Sequence, residues 1–184
     1  MALVVDAEPL SATCNSYVSV AEADTYVEDQ VPQAGVAAAW QALTPEDKAL
    51  YVVRATEFLD GLVTWNGDRW SLAQQLKWPR FNVLVDGYYY DIGLVFPPKV
   101  KYATIEMALF LMQQSNATSE ANSNVLYDAV AVGPLKIDFN VDGTGAATKY
   151  FPDIIPILLK DLGIIDNPDL PNTNRLKQVK LIRA

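Results

Sequence analysis

The sequence predicts a mainly α fold, in which a small helical bundle carries a β-hairpin insertion, a second β-rich segment and extended terminal arms. Two amphipathic patterns predict the bundle, one beginning at Thr44 and the other at Pro97-Pro98. Asp86-Gly87 between two β-favouring runs predicts the hairpin, because this dipeptide is common in two-residue turns. We therefore expect one helical domain with additions rather than two domains.

The composition limits the kinds of function that the chain can have. Its 184 residues include 14 basic and 22 acidic side chains, for a net charge of −8, with no histidine and one cysteine. A chain-wide basic surface for nucleic acid is therefore absent, and one cysteine without histidine offers neither an internal disulfide nor a zinc site. The sequence contains no phosphate-binding loop, nucleophile elbow or metal-ligand spacing. We expect no catalytic activity, no cofactor and no bound metal.

The first residues and the hydropathy of the chain indicate where in the cell the protein is expected. The first ten residues, MALVVDAEPL, contain two acids and no basic flank, so a secretory signal is not expected. No apolar run approaches the length that spans a membrane. We expect a soluble protein that is intracellular when it is made.

The first part of the chain is predicted to be an arm that leads into helices. Residues 1–14 combine β-favouring valines with residues that break a strand, and they predict an extended N-terminal arm. Ser19 and Glu22 have the spacing of a capping box and predict the start of a helix. Trp40, in the alanine-rich segment 33–42, is expected to anchor a short helix in the core.

The helical core is predicted to span residues 15–114, and its central helix has clear boundary signals. Thr44 can cap the first turn, Pro45 fits the first helical position, and Asp60-Gly61 is predicted to end the helix. Between these ends, apolar stripe residues recur at three- and four-residue steps: Ala49, Val52, Val53, Thr56 and Leu59. This stripe is expected to face the core.

Three tryptophans follow the central helix closely. Trp65, Trp70 and Trp78 each carry a large apolar area, and they are predicted to lock a turn that leads into a second short helix. Pro79 ends this segment, because proline has no amide to donate and pushes the preceding residue out of the helical region.

Residues 81–95 are predicted to form the hairpin. Tyr88, Tyr89 and Tyr90 are consecutive, so at least one of them must face outward from a strand. Two interpretations remain open: the tyrosines stack the bases of single-stranded DNA, or they either pack within the hairpin or contact another subunit. The second is favoured, because no cluster of lysine or arginine surrounds them in the sequence.

The second amphipathic pattern is followed by a polar segment and then by a β-favouring one. The helix that begins at Pro97-Pro98 is apolar on much of its circumference, so we expect other elements to surround it. Residues 113–124 contain almost no apolar side chains and predict a mobile loop or a boundary. Residues 125–163 predict a β-rich extension that closes with a short helix over 152–162, with Gly163 after its end.

Residues 164–184 predict an extended basic C-terminal arm. Two prolines disfavour helix, and the last ten residues carry four bases and no acid. The arm is either a disordered, solubilising end or a segment that orders on a partner, and its apolar residues favour the second. Its predicted partner-binding residues are Arg175, Leu176, Lys177, Val179, Lys180, Leu181, Ile182 and Arg183.

Three blocks of the sequence resemble a family of tailed-phage proteins. The first block is NSYVSVAEADTY at 15–26, the second joins LDGL at 59–62 to LKWPR at 76–80, and the third is FPPKV at 96–100. The blocks occur in the order seen in the family and the resemblance covers roughly residues 15–112. Members often carry a label that likens them to the DnaT single-stranded DNA-binding protein, whereas better-understood relatives are head-to-tail adaptor, or head-completion, proteins.

The resemblance to the adaptors implies a helical bundle that assembles as a homo-oligomeric ring, expected to be a dodecamer. It implies a place at the head–tail interface of the virion, between the portal protein and a tail tube or nozzle protein, after synthesis in the host bacterial cytoplasm. Genomic DNA would pass through the ring without specific binding, and no membrane is involved. The basic arm and the three tyrosines are then the expected partner-binding residues.

Charge helps to compare the two functions. An acidic body fits the adaptor, because a channel that passes DNA should not hold it. The alternative, a single-stranded DNA-binding replication protein, needs a basic groove with aromatic side chains. Only the C-terminal arm is basic in this sequence.

Overall fold

Two long helices form the centre of the molecule. The computed structural model describes residues 3–90, 93–117, 129–132, 135–138 and 151–165. The described helices are α1 (Val20–Gln30), α2 (Ala34–Gln41), α3 (Pro45–Leu62), α4 (Pro98–Ala117) and α5 (Ile154–Leu159). Helix α3 packs along α4, α5 covers α4 from another side, and α1 and α2 close the bundle. The prediction of a mainly helical fold is confirmed, since about half of the described residues are helical.

Local side-chain chemistry sets the starts of α1 and α3. The hydroxyl of Ser19 accepts from the amide of Glu22, and the carboxylate of Glu22 accepts from the amide of Ser19, which completes the predicted capping box. Thr44 accepts from the amide of Asp47, and Pro45 occupies the first helical position. Both predicted helix starts are confirmed.

The strands are short and pair in twos. They are β1 (Val63–Trp65), β2 (Asp68–Arg69), β3 (Arg80–Phe81), β4 (Leu84–Val85), β5 (Tyr88–Tyr89), β6 (Ala129–Val132), β7 (Leu135–Asp138) and β8 (Gly163–Ile165). The antiparallel pairs are β1 with β8, β2 with β3, β4 with β5, and β6 with β7. The hairpin at Asp86-Gly87 is confirmed, because β4 and β5 flank it and both turn residues have positive φ, 52° and 83°.

The C-terminal part of the described chain returns to the core. Strand β8 pairs with β1 in the register Val63 to Ile165 and Trp65 to Gly163. Gly163 therefore lies in a strand, and a Cβ there would meet Val63 Cγ1 at 2.5 Å. Residues 151–163 of the predicted extension and residues 164–165 of the predicted C-terminal arm thus pack on the helical core through α5 and β8.

Two local predictions were wrong. Helix α3 does not end at Asp60-Gly61 but continues to Leu62, where the chain turns into β1 and pairs with β8. The second short helix expected after the tryptophans is absent from residues 70–79, which form turns. A side chain supplies hydrogen bonds there in place of helical ones: Gln74 Nε2 donates to the carbonyls of Leu76 and Pro79.

The core contains the predicted apolar stripes. All five stripe residues of α3 are buried, and Trp40 is fully buried as expected. Helix α4 buries residues around much of its circumference: Val100, Ala103, Thr104, Ile105, Met107, Ala108, Leu109 and Met112. No helix of the described part of the chain is both long and apolar enough to cross a membrane.

Candidate interaction surface

The blocks LDGL and LKWPR meet at one buried carboxylate, that of Asp60. Its Oδ1 accepts from the hydroxyl of Tyr17 at 2.5 Å and from Trp65 Nε1 at 3.1 Å, and its Oδ2 accepts from the amide of Lys77 at 3.1 Å. The Lys77 ammonium donates to the backbone carbonyl of Asp60. The amide of Trp78 donates to the Tyr17 hydroxyl at 3.3 Å. We call these five residues the Asp60 network.

Burial governs the acid–base behaviour of this network. It raises the pKa of Asp60 above its usual value, although hydrogen bonds from Tyr17 and Lys77 act in the opposite direction. Burial also raises the pKa of Tyr17 well above its usual value, so the phenol keeps its proton and can donate to Asp60. The hydrogen bonds of the network all join groups of the same chain. The motif residues that carry the family resemblance therefore hold the fold together.

Both arginines of the loop between α3 and α4 are used inside the molecule. Arg80 Nε donates to the carbonyl of Asn66 at 2.7 Å, and its terminal nitrogens donate to the carbonyls of Lys77 and Gly67. Arg69 Nη2 donates to two carbonyls of the neighbouring turn at 3.1 Å. These contacts engage all three guanidinium nitrogens of Arg80 and one of those of Arg69 with loop carbonyls.

Three lysines form ion pairs with acids on other elements. Lys48 contacts Asp24 at 2.9 Å, Lys101 contacts Glu22 at 2.5 Å, and Lys99 contacts Asp161 at 3.7 Å. The side chains that the structure describes include eight bases and 15 acids. Six of these bases are engaged internally: Lys48, Arg69, Lys77, Arg80, Lys99 and Lys101. Among described residues, only Arg54 and Lys160 have no such partner.

The predicted tyrosines divide into an exposed pair and a packed one. Tyr88 is 79% exposed and Tyr89 is 72% exposed. Tyr90 is half-buried against the core, and its amide donates to the carbonyl of Val83 at 2.7 Å. The expectation that at least one tyrosine faces outward is confirmed, and two of them do.

The loop between α3 and α4 exposes further apolar side chains. Trp70, predicted to lock the turn, is 45% exposed and packs edge-to-face on Phe81 at 6.1 Å, so its predicted role is wrong. Trp65 and Trp78 do form a lock, with ring centroids 5.9 Å apart. We define the exposed loop surface as the large apolar side chains exposed over residues 70–89 of this loop: Trp70, Leu72, Phe81, Leu84, Tyr88 and Tyr89. Exposed aromatic residues of this kind are typical of protein interfaces.

The remaining predicted site residues are those of the C-terminal arm. Arg175, Leu176, Lys177, Val179, Lys180, Leu181, Ile182 and Arg183 lie outside the described residues. Within the described ranges, no three acidic or cysteine side chains are grouped so that they could hold a metal ion. The one cysteine, Cys14, is buried, and burial raises the pKa of its thiol to about 11.

Comparison with known proteins identifies the family. A family model described as "Putative DnaT-like ssDNA binding protein" matches residues 1–184. The chain belongs to this family. No curated protein and no solved structure matches it.

The match confirms that the chain belongs to the family that its motif blocks resemble. The match extends over the entire sequence, including the segments after residue 112 that the three blocks do not cover. The family description does not mention an adaptor role, so arguments for that role depend on the surface of the molecule. The features that bear on it are the engaged bases, the acidic excess and the exposed loop surface.

The hydrogen bonds of the Asp60 network were not predicted from the sequence. The sequence predicts Asp60 to end the helix because it precedes glycine, whereas its carboxylate accepts from three donors in separate segments. The sequence does contain a signal, since Asp60 lies four positions after Thr56 on the apolar stripe, where an acid needs partners. The partners themselves, 17 and 43 residues away, required the tertiary structure.

Proposed function

We propose that the protein is a structural component of a tailed-phage particle, a head-to-tail adaptor. In this proposal it forms a homo-oligomeric ring, expected to be a dodecamer, between the portal protein and a tail tube or nozzle protein. Genomic DNA passes through the ring without being held. The proposal joins the family resemblance to the surface chemistry of the described residues.

The main support for the proposal is that most described lysines and arginines contact other groups of the same chain. Proteins bind nucleic acid largely by placing lysine and arginine on phosphates. Here six of the eight described bases contact carboxylates or carbonyls of the same chain, and Lys48 is buried as well. A strand of DNA would have to compete with these contacts, so the described body is poorly suited to hold it.

The acidic excess supports the same role. Fifteen acids against eight bases among the described side chains give a surface that repels phosphate. Repulsion suits a channel through which DNA must slide. It is unfavourable for a protein whose task is to coat single strands.

The exposed loop surface supplies a contact for a protein partner. Tyr88 and Tyr89 stand out from a hairpin whose turn carries Asp86, and the surface around them has no free arginine or lysine among the described residues of this loop. Tyrosine buries a large area at a small cost in side-chain entropy, which suits an interface between subunits or with the portal or tail protein.

A single-stranded DNA-binding replication protein is the second candidate. The description of the family favours it, and so does the exposure of Tyr88 and Tyr89, because bases stack on aromatic faces without sequence preference. The charge for such binding would have to come from the four bases of residues 175–183, which lie outside the described part.

Binding of a fluorescent oligothymidylate, measured by anisotropy, separates the two candidates. We expect binding no tighter than about 100 µM at physiological salt, because the described bases are engaged. A matched variant, Tyr88→Ser with Tyr89→Ser, should give the same weak signal. Sub-micromolar affinity that falls steeply with salt and is lost in this variant would contradict the proposal and support the replication protein.

A further inference from the structure

The N-terminal segment and the loop before α4 enclose a groove of about 1110 Å³. Residues 3–9 form one wall and residues 94–96 the other, with Glu22 and Lys101 between them. Its exposed apolar side chains, 42 to 75% exposed, are Leu3, Val4, Leu94 and Val95. An exposed apolar groove with a polar rim is typical of a binding site for a chain segment.

One edge of the N-terminal segment is paired and the other is free. The amide of Asp6 donates to Asn15 Oδ1 at 2.8 Å, and its carbonyl accepts from the amide of Asn15 at 2.9 Å. The backbone groups of Val5 and Ala7 make no hydrogen bond with any described residue, and both residues line the groove. Because neighbouring residues of an extended chain direct their backbone groups to opposite sides, Val5 and Ala7 present an open strand edge.

The groove has an excess of negative charge. Glu22 is paired with Lys101, which leaves Asp6 and Glu8 unbalanced among the residues that line the groove. The hydroxyl of Ser11 donates to Asp6 at 2.5 Å and lowers the pKa of that carboxyl, so Asp6 stays ionised. A basic segment with apolar side chains would match this groove in charge and hydropathy.

We infer that the C-terminal segment of this chain, residues 175–183, binds in the groove and adds a strand to the open edge at Val5 and Ala7. The segment carries four bases and no acid. Its centre alternates polar Gln178 and Lys180 with apolar Val179 and Leu181, which is the period of a strand. Backbone pairing supplies affinity in this mode of recognition, and alternate side chains supply specificity.

The length of the chain permits this contact. Strand β8 ends at Ile165, and residues 166–174 can span up to about 30 Å when extended. Phe96, on the groove wall, packs on Tyr17 at 5.0 Å, and Tyr17 packs on Trp65 at 6.3 Å, in the strand that pairs with β8. The segment can therefore reach the groove of its own copy, and in an assembly it can reach the groove of a neighbour.

A second copy's hairpin fits the groove less well. The hairpin has comparable apolar side chains, but its turn carries Asp86, and Asp91 follows it in the sequence. Two acids brought next to Asp6 and Glu8 would repel them. Charge therefore selects the basic C-terminal segment.

Hydrogen exchange of the full-length protein, followed by NMR, tests the inference. In the wild type we expect the amides of Val5 and Ala7 to exchange at least about tenfold more slowly than in a variant with all four bases of the segment changed to glutamate. A control variant, Arg54→Glu with Lys160→Glu, changes the two described bases that lack internal partners and should keep the protection. Amides of α1 should be protected equally in all three proteins.

The pattern of protection decides the outcome. Slow exchange that does not depend on protein concentration indicates binding within one copy, and protection that grows with concentration indicates binding between copies; both support the inference. Fast exchange in the wild type and in the fourfold variant means that the edge is free and overturns it. Slow exchange in both means that another segment, such as the hairpin of a second copy, occupies the edge, and this also overturns it.

Discussion

Replacing Trp78 with alanine is expected to lower the free energy of unfolding by about 3–5 kcal/mol. The side chain is only 1% exposed and packs edge-to-face on Trp65, so truncation leaves a large cavity between the central helix and the loop that follows it. Urea unfolding followed by far-ultraviolet circular dichroism measures the loss. An unchanged midpoint would mean that the tryptophan lock does not hold the loop.

A phenylalanine at the same position provides the matched control. Trp78 Nε1 is buried and has no hydrogen-bond partner among the described residues. Removing this donor costs no hydrogen bond, while the smaller ring leaves only part of the cavity. We therefore expect Trp78→Phe to lose about 1–2 kcal/mol, well below the alanine variant.

Replacing Asp60 with alanine is expected to cost about 3 kcal/mol, because three buried donors lose their acceptor. These donors are the Tyr17 hydroxyl, the Trp65 indole and the Lys77 amide. Asp60→Asn keeps one oxygen and nearly the same shape, so it should lose less than the alanine variant. If the alanine variant is as stable as the wild type, the Asp60 network does not stabilise the fold.

The Asp60 network also predicts how stability depends on pH. Since burial raises the folded-state pKa of Asp60, folding favours the protonated carboxyl, and this contribution is lost as the pH rises through the raised pKa. The stability of the wild type relative to Asp60→Asn should therefore fall as the pH is raised from about 4. A relative stability that increases with pH would show that the hydrogen bonds outweigh burial.

Predictions from the sequence succeeded where the cause is local. The caps at Ser19 and Thr44 and the turn at Asp86-Gly87 depend on residues within four positions of each other, and the structure contains all three. The stripe of α3 was predictable because a helix places residues three and four apart on one face.

The sequence was less informative where distant segments meet. The pairing of β1 with β8 joins residues about 100 positions apart, and it explains why α3 runs past Gly61 and why Gly163 lies in a strand. Trp70, Trp65 and Trp78 are the same residue type in one short segment, so the sequence does not distinguish them. Tertiary packing leaves Trp70 exposed and buries the other two. The groove beside residues 3–9 likewise depends on the position of residues 94–96.

The motif blocks that carry the family resemblance supply the Asp60 network. Tyr17, Asp60, Lys77 and Trp78 lie in these blocks and form contacts within the chain. A buried network of this kind stabilises the fold. Function must be sought on the surface, at the exposed tyrosines and at the acidic groove.

Electron microscopy of phage particles labelled with a gold-conjugated antibody against this protein tests the adaptor role most directly. In the proposal a phage genome encodes the chain, and the particles are those of that phage, with an antibody against the tail tube as a positional control. We predict label confined to the junction between head and tail. Particles without label, together with protein found only in the infected cytoplasm, would contradict the adaptor role.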